Sequence, residues 1–232
     1  MLRGLLKKKN NIKQNIITDS KELYKLNAER EFSYAIEFVN NAIEGETKIE
    51  DKIKMIDFIM DLIKEDIKTD LLTKIIYNPE ANITRYFPFP MCYYDKNNNA
   101  YRLHEGEEIE IDLSNECVIT YPYNREKYVK NIRTISKEPF IYKNNNHTAY
   151  YFSQVNICYI ANGYHSIASG IMCNKGKIKA KKIDITPLYD YVYTNGVYWY
   201  NTHTNNILTT LTDFRIGILY EIAKIKNNLA KI

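Results

Sequence analysis

The chain is poor in the residues that build specialised chemistry. Its 232 residues include 4 cysteines, 6 prolines, 8 glycines and 1 tryptophan. The cysteines stand at 92, 117, 158 and 173, and no two of them form a C-x-x-C pair. Ribbon-type zinc sites and thioredoxin-type exchange therefore lack their signature. Cys158, His165 and Cys173 are near one another in the chain, but their spacing fits no zinc frame. Reduced, mostly buried thiols in a cytosolic protein are the expectation. No apolar run approaches the roughly 20 residues that span a bilayer, so no membrane partner is expected. Met1 to Lys9 has only Leu5-Leu6 as an apolar centre, too little for a secretory signal. There is no G-x-S-x-G, Walker A, H-E-x-x-H or G-x-G-x-x-G. Nor is there an excess of one charge: 32 Lys and Arg stand against 28 Asp and Glu, a net +4. A dedicated polyanion binder shows a clear basic stripe. Here the basic residues cluster only at Lys7-Lys8-Lys9 and from Lys175 to Lys182.

What is abundant is tyrosine, 21 residues against 8 Phe. Tyr brings apolar area with a polar tip, which suits half-buried and interface positions. It rises together with Lys, Ile and Asn, as in AT-rich coding sequences. An apolar fraction of 45% is that of a globular chain long enough to bury a core.

Periodicity divides the chain near residue 85. Leu23, Leu26, Phe32, Ile36, Val39 and Ile43 recur at helical spacing, and Gly45 is a stop. Thr47 and Glu50 have the form of a capping box ahead of Ile49, Ile53, Ile56, Met60, Ile63 and Ile67. This second helix runs to about Tyr77, before Pro79. The two helices are expected to pair as a hairpin, serving as support or as a dock for a protein partner. Tyr86-Phe-Pro-Phe-Pro90 reads as an extended linker. Beyond it the pattern is mixed. A hairpin is expected around Asp95-Lys-Asn-Asn-Asn99, alternation from Glu108 to Leu113, and a helix from Asn124 to Ile135. Pro139 to Tyr142 and Ala149 to Phe152 read as extended. Residues 155–161, a helix from Ser166 to Cys173, and a strand from Lys177 to Ile185 have the length of a βαβ-like crossover. Asn195-Gly196 predicts a type I′ hairpin, and Leu208 to Leu229 a closing helix. The expected fold is α+β: a helical hairpin, 1–85, packed on a mixed-sheet domain, 86–232.

The most informative feature is Gly163-Tyr164-His165-Ser166, where an extended segment meets a helix. A glycine permits positive φ and close approach of a ligand. The free N–H groups and dipole of a helix start favour an anion. Ser166 suits a cap or a phosphate contact. His165 can donate a hydrogen bond and change charge near neutrality. Ser169 lies one turn on. Gly170 costs about 1 kcal/mol against alanine in a helix, which calls for tight packing or a ligand beside it. The competing reading is an ordinary strand-to-helix junction with a structural histidine.

Residues 117–186 resemble the ParB/sulfiredoxin superfamily. Val118-Ile-Thr-Tyr-Pro-Tyr-Asn-Arg125 stands where the superfamily has its first motif, and Gly163 and His165 match its G-x-H-R turn. The resemblance implies that this turn and the helix after it hold nucleotide phosphates, with ATP or CTP as ligand. Ser166 replaces the superfamily's Arg, which removes a phosphate clamp. Tyr164 replaces the cysteine of the reductase members, which speaks against their chemistry. The whole chain also resembles a group of bacterial and prophage proteins with a Gly-Asn-His-Ser-Ile-type motif. The implied function is a nucleotide- or nucleic-acid-phosphate-binding protein, as an accessory or effector of a mobile-element or defence locus. The phosphate would lie on Gly163, Tyr164, His165, Ser166 and Ser169. Arg125 or Lys177 would add charge, and His165 would be donor or general acid.

Two other readings stay open. One is a non-enzymatic interaction module that uses the helical hairpin or a Tyr-rich surface. The other is a metal-dependent nuclease, which needs a carboxylate near His165. Glu105, Glu107, Glu108 and Glu110 near His104 offer a divalent-ion site or a solvated acidic edge. Lys177, Lys179 and Lys181 offer a phosphate-facing or a solvated strand face. Tyr191 to Tyr200 offers a base-stacking platform or core.

Overall fold

A computed structural model describes residues 2–78 and 87–231, with side chains from Glu22 onward. The stop expected at Pro79, the division near Arg85 and the start of the linker at Tyr86 lie outside the described residues. So do the side chains of Lys7-Lys8-Lys9.

Helices α1 (Leu2–Glu44) and α2 (Ile49–Tyr77) form the hairpin, and α1 ends one residue before Gly45. The Thr47–Glu50 box does not form. Lys48 is the N-cap and gives no side-chain hydrogen bond, while Glu50 and Asp51 sit in the first turn. Carboxylates there interact favourably with the helix dipole, so the start of α2 rests on charge rather than on a hydroxyl cap. Ile56, Met60, Ile67, Leu71 and Ile75 turn inward. Leu26, Tyr34, Phe38, Phe58 and Leu62 stay exposed; the partner-docking expectation would use this surface.

The strands form three sheets. Strands β1 (Cys92–Tyr94) and β2 (Ala100–Arg102) make a small hairpin. Asp95 closes its turn by accepting from the backbone N–H groups of Asn97 and Asn99. The main sheet contains β3 (Glu105–Asp112), β4 (Val118–Ile119), β5 (Thr148–Phe152), β6 (Ile157–Asn162) and β7 (Lys177–Ile183), in the order β3-β7-β5-β6-β4. Helices α3 (Arg125–Ile135) and α4 (Tyr164–Met172) pack on each other.

The crossover expected around α4 takes a different form. Strand β5 lies between β6 and β7, antiparallel to the first and parallel to the second. A short turn through Asn156, at φ 52°, joins β5 to β6 and pairs Phe152 with Ile157. Local pairing thus takes one edge of β6, and β4 takes the other. The parallel crossover runs from β5 to β7. Residues 139–142 join no ladder. Phe140 packs instead where a Cβ on Gly176 would fall, 2.4 Å from its Cγ.

The third sheet consists of β8 (Val192–Thr194), β9 (Tyr198–Asn201) and β10 (Ile207–Thr210). The last of these corrects the expected helix from Leu208: residues 207–210 pair with β9. Helix α5 (Phe214–Leu229) begins only after Asp213, whose carboxylate accepts the Arg215 N–H. Helices α1 and α2 both pack on α5, and one core runs from Val39 through the main sheet to Ala223. Phe89, Phe152, Trp199 and Tyr220 form its aromatic centre, with Trp199 and Tyr220 edge-to-face at 5.0 Å. Trp199 is therefore core and no stacking platform. Tyr193 and Tyr200 stack on each other, 5.0 Å apart.

The hairpin tip at Asn195-Gly196 is not type I′, which needs positive φ at both positions. Gly196 has φ 88°, whereas Asn195 is not among the positive-φ residues. The Asn195 side chain accepts from the N–H groups of Val197 and Tyr198 and donates to Glu29 of α1. A Cβ on Gly196 would lie 2.5 Å from Cβ of Phe32 and 3.1 Å from the Ala28 carbonyl oxygen. Gly196→Ala adds an unfavourable backbone region to an overpacked contact with α1. It is expected to cost about 1–3 kcal/mol, measured as a lower urea midpoint at unchanged slope.

Candidate functional site

Gly163 caps α4 in the left-handed region, at φ 90° and ψ 19°. Its openness serves the protein's own packing. A Cβ here would lie 2.5 Å from Cδ2 of His147 and 3.0 Å from the Asn146 carbonyl oxygen. Gly170 is explained in the same way, with Leu113, Phe140 and the Lys175 carbonyl around it.

The polar groups of the motif are bonded internally. The Ser166 hydroxyl donates to the Gly163 carbonyl at 3.0 Å and lies 3.0 Å from Nε2 of His147. The Lys143 N–H donates to Nδ1 of His147 at 3.1 Å, so the neutral ring carries its hydrogen on Nε2 and donates it to Ser166. A histidine in that state is no base for the serine. The Tyr164 hydroxyl donates to the Ala161 carbonyl at 2.5 Å, and Ser169 donates to the His165 carbonyl at 2.7 Å. His165 is 9% exposed. Its Nε2 accepts from the backbone N–H groups of Asn124 at 2.9 Å and Tyr123 at 3.3 Å. This nitrogen is therefore an acceptor, engaged by the main chain.

The other expected site residues divide into two groups. Arg125 is the first residue of α3, directly after the two amides that His165 holds. Lys177 follows the far end of α4 and pairs with Glu110 at 2.6 Å, so it does not join the turn. Lys179 pairs with Glu108 and Lys181 with Glu105. The alternating lysines and the acidic strand thus neutralise each other across β3 and β7. These ladders are exposed and worth little individually. Among the described residues no three His, Cys, Asp or Glu gather as a metal site, and His165 meets Tyr123 edge-on at 4.4 Å. Burial pushes the Cys117 thiol up to about 12 and that of Cys158 up further. Of the four thiols expected to be mostly buried, Cys117 and Cys158 are buried, Cys173 is half-buried and Cys92 is exposed.

Residue spacing alone gave no warning of the outer surface of α3. Asn124 caps the helix by accepting from the Lys127 N–H. Arg125, Lys127, Lys130 and Arg133 are all exposed, and Glu126 is the only acid in the helix. Among the described residues none of the four cations makes an ion pair. A shallow groove of about 530 Å³ runs past Arg125, Val129, Lys130 and Arg133. The inward side of α3 supplies Tyr128 and Ile135.

Residues 6–232 match a family of unknown function, DUF6710. The chain belongs to the DUF6710 family. No curated protein and no solved structure matches it. The match covers both the helical hairpin and the sheet of this DUF6710 chain, so the motif turn and the basic helix lie within one family unit. No helix among the described residues is long and apolar enough to cross a membrane.

Burial, with a smaller contribution from Lys143, lowers the pKa of His147 from 6.5 to about 4. The folded state therefore resists protonation that the unfolded chain accepts. The stability tied to this ring is complete above pH 6.5 and is lost as pH falls towards 4. The slope approaches about 1.4 kcal/mol per pH unit within that window. His147→Gln should flatten the stability profile between these limits relative to the unsubstituted protein, as read by urea unfolding at a series of pH values.

Proposed function

We propose that this protein binds the phosphates of a nucleic acid, with the exposed face of α3 as the contact surface. The observation that carries the reading is the set of four exposed cations on α3, free of ion pairs among the described residues. Lys177, Lys179 and Lys181 of β7, by contrast, each face a glutamate. Arg125 and Arg133 are eight residues apart, about 12 Å along a helix axis. That reach exceeds what one nucleotide's phosphates need and suits several phosphates of a polymer strand. Arg125 is shared with the set expected from sequence. His165 becomes a positioning residue, holding the two amides that precede Arg125. The likeness to the ParB/sulfiredoxin superfamily supports a phosphate ligand through Gly163, His165 and Arg125. ATP and CTP are then alternative outcomes of the same test.

The test is fluorescence anisotropy with a labelled DNA duplex, an RNA oligonucleotide, ATP and CTP, over a range of salt. Nucleic-acid binding that weakens with salt is expected. Replacing Arg125, Lys130 and Arg133 with alanine should flatten the slope of log K against log salt. The reduction is about 0.9 per phosphate contact removed from duplex DNA. These side chains are exposed, so the fold should be retained. No binding at about 50 mM salt, or binding that the triple variant leaves intact, overturns the reading.

A further inference from the structure

A cavity of about 620 Å³ lies where α1 and α2 meet the segment from β10 into α5. At its wall the Arg215 guanidinium, with a side chain 15% exposed, donates to Asp213, Asp66 and Asp70 at 2.6–2.9 Å. The lining carboxylates are Glu31, Asp66, Asp70 and Asp213, against the two cations Lys74 and Arg215. The wall is thus acidic even after Arg215 is counted. Apolar surface from Leu71, Leu211 and Phe214 completes it.

A second observation is independent of those acids. Tyr121 lines the same cavity and is 7% exposed. Among the described residues its hydroxyl has no hydrogen-bond partner, and it is not among the fully enclosed polar atoms that lack one. The hydroxyl lies close enough to Asp213 and Arg215, both on the cavity wall, to feel their charges. A phenol this deeply buried ordinarily finds a partner, and here the cavity is where one can sit.

We propose that this cavity binds a small organic polycation of the amine type. The ammonium groups would bond to oxygens of Asp66, Asp70 and Glu31 that Arg215 does not use. The phenol oxygen of Tyr121 would accept a further N–H. The methylene chain would lie on Leu71, Leu211 and Phe214, and the aromatic faces favour a weakly hydrated cation over a hard metal ion. The acid cluster already holds one planar organic cation, that of Arg215. This site is separate from the α3 surface, and its test is independent of nucleic-acid binding.

The experiment is calorimetric titration of the full chain with spermidine, with magnesium chloride at matched ionic strength as control. Saturable one-site binding is expected for spermidine and not for magnesium. Tyr121→Phe removes a group that has no partner among the described residues, so the thermal midpoint should be kept while affinity falls by several-fold to about tenfold. Asp70→Asn should weaken binding, and Lys74→Ala should strengthen it by removing a like charge. The proposal is overturned by the absence of spermidine binding, by equal binding of magnesium, or by affinity that Tyr121→Phe and Asp70→Asn leave unchanged. The last outcome would mean diffuse attraction to the acidic surface.

Discussion

One nitrogen decides where the basic helix stands. Nε2 of His165 accepts two successive backbone amides, those of Tyr123 and Asn124, at the point where β4 gives way to α3. Both hydrogen bonds are part-buried, and a buried amide left without an acceptor costs about 1–3 kcal/mol. Two further ties run between the same elements. Thr120 donates to the Tyr164 carbonyl, and the Ser169 hydroxyl lies 3.5 Å from the Tyr128 carbonyl. The loop before α3 is thus fastened to the start of α4, and α3 is left with its charged side outward.

This arrangement separates the packing of the motif turn from the exposed positive charge on α3. Gly163, Ser166 and His147 lock the turn at 143–147 onto α4 through short contacts and a histidine kept neutral by burial. The exposed positive charge free of ion pairs among the described residues, which the proposed reading offers to an anionic partner, lies on Arg125, Lys127, Lys130 and Arg133. The lysine strip of β7 adds nothing to it, because Glu105, Glu108 and Glu110 answer it residue by residue. A nearly balanced net charge of +4 hides this local asymmetry. What matters for a polyanion is which cations lack carboxylate neighbours.

Sequence patterns revealed most of the elements because those rest on local rules. Gly45, Gly163 and the Asn-rich turn at 95–99 mark real boundaries, and the α+β class followed from where helical spacing gives way to alternation. The failures have tertiary causes. Leu208 and Leu211 fit a helical stripe, yet β9 offers residues 207–210 a free edge to pair with. The expected crossover missed β5, since periodicity does not say which strand pairs first. The histidine that packs on Gly163 is His147, which no motif marked. Arg215 and Asp66 lie 149 residues apart, and no spacing rule brings them together. The position of His165 was legible, but the direction of its hydrogen bonds was not, because its donors are main-chain amides some forty residues earlier.

The most direct test is hydrogen–deuterium exchange of the full chain with and without a saturating short DNA duplex. The account holds that added protection falls on residues 124–137, while the amides of 163–169 exchange as before. Protection centred on 163–169, with α3 unaffected, would return the anion to the turn and contradict the assignment of the contact surface to α3.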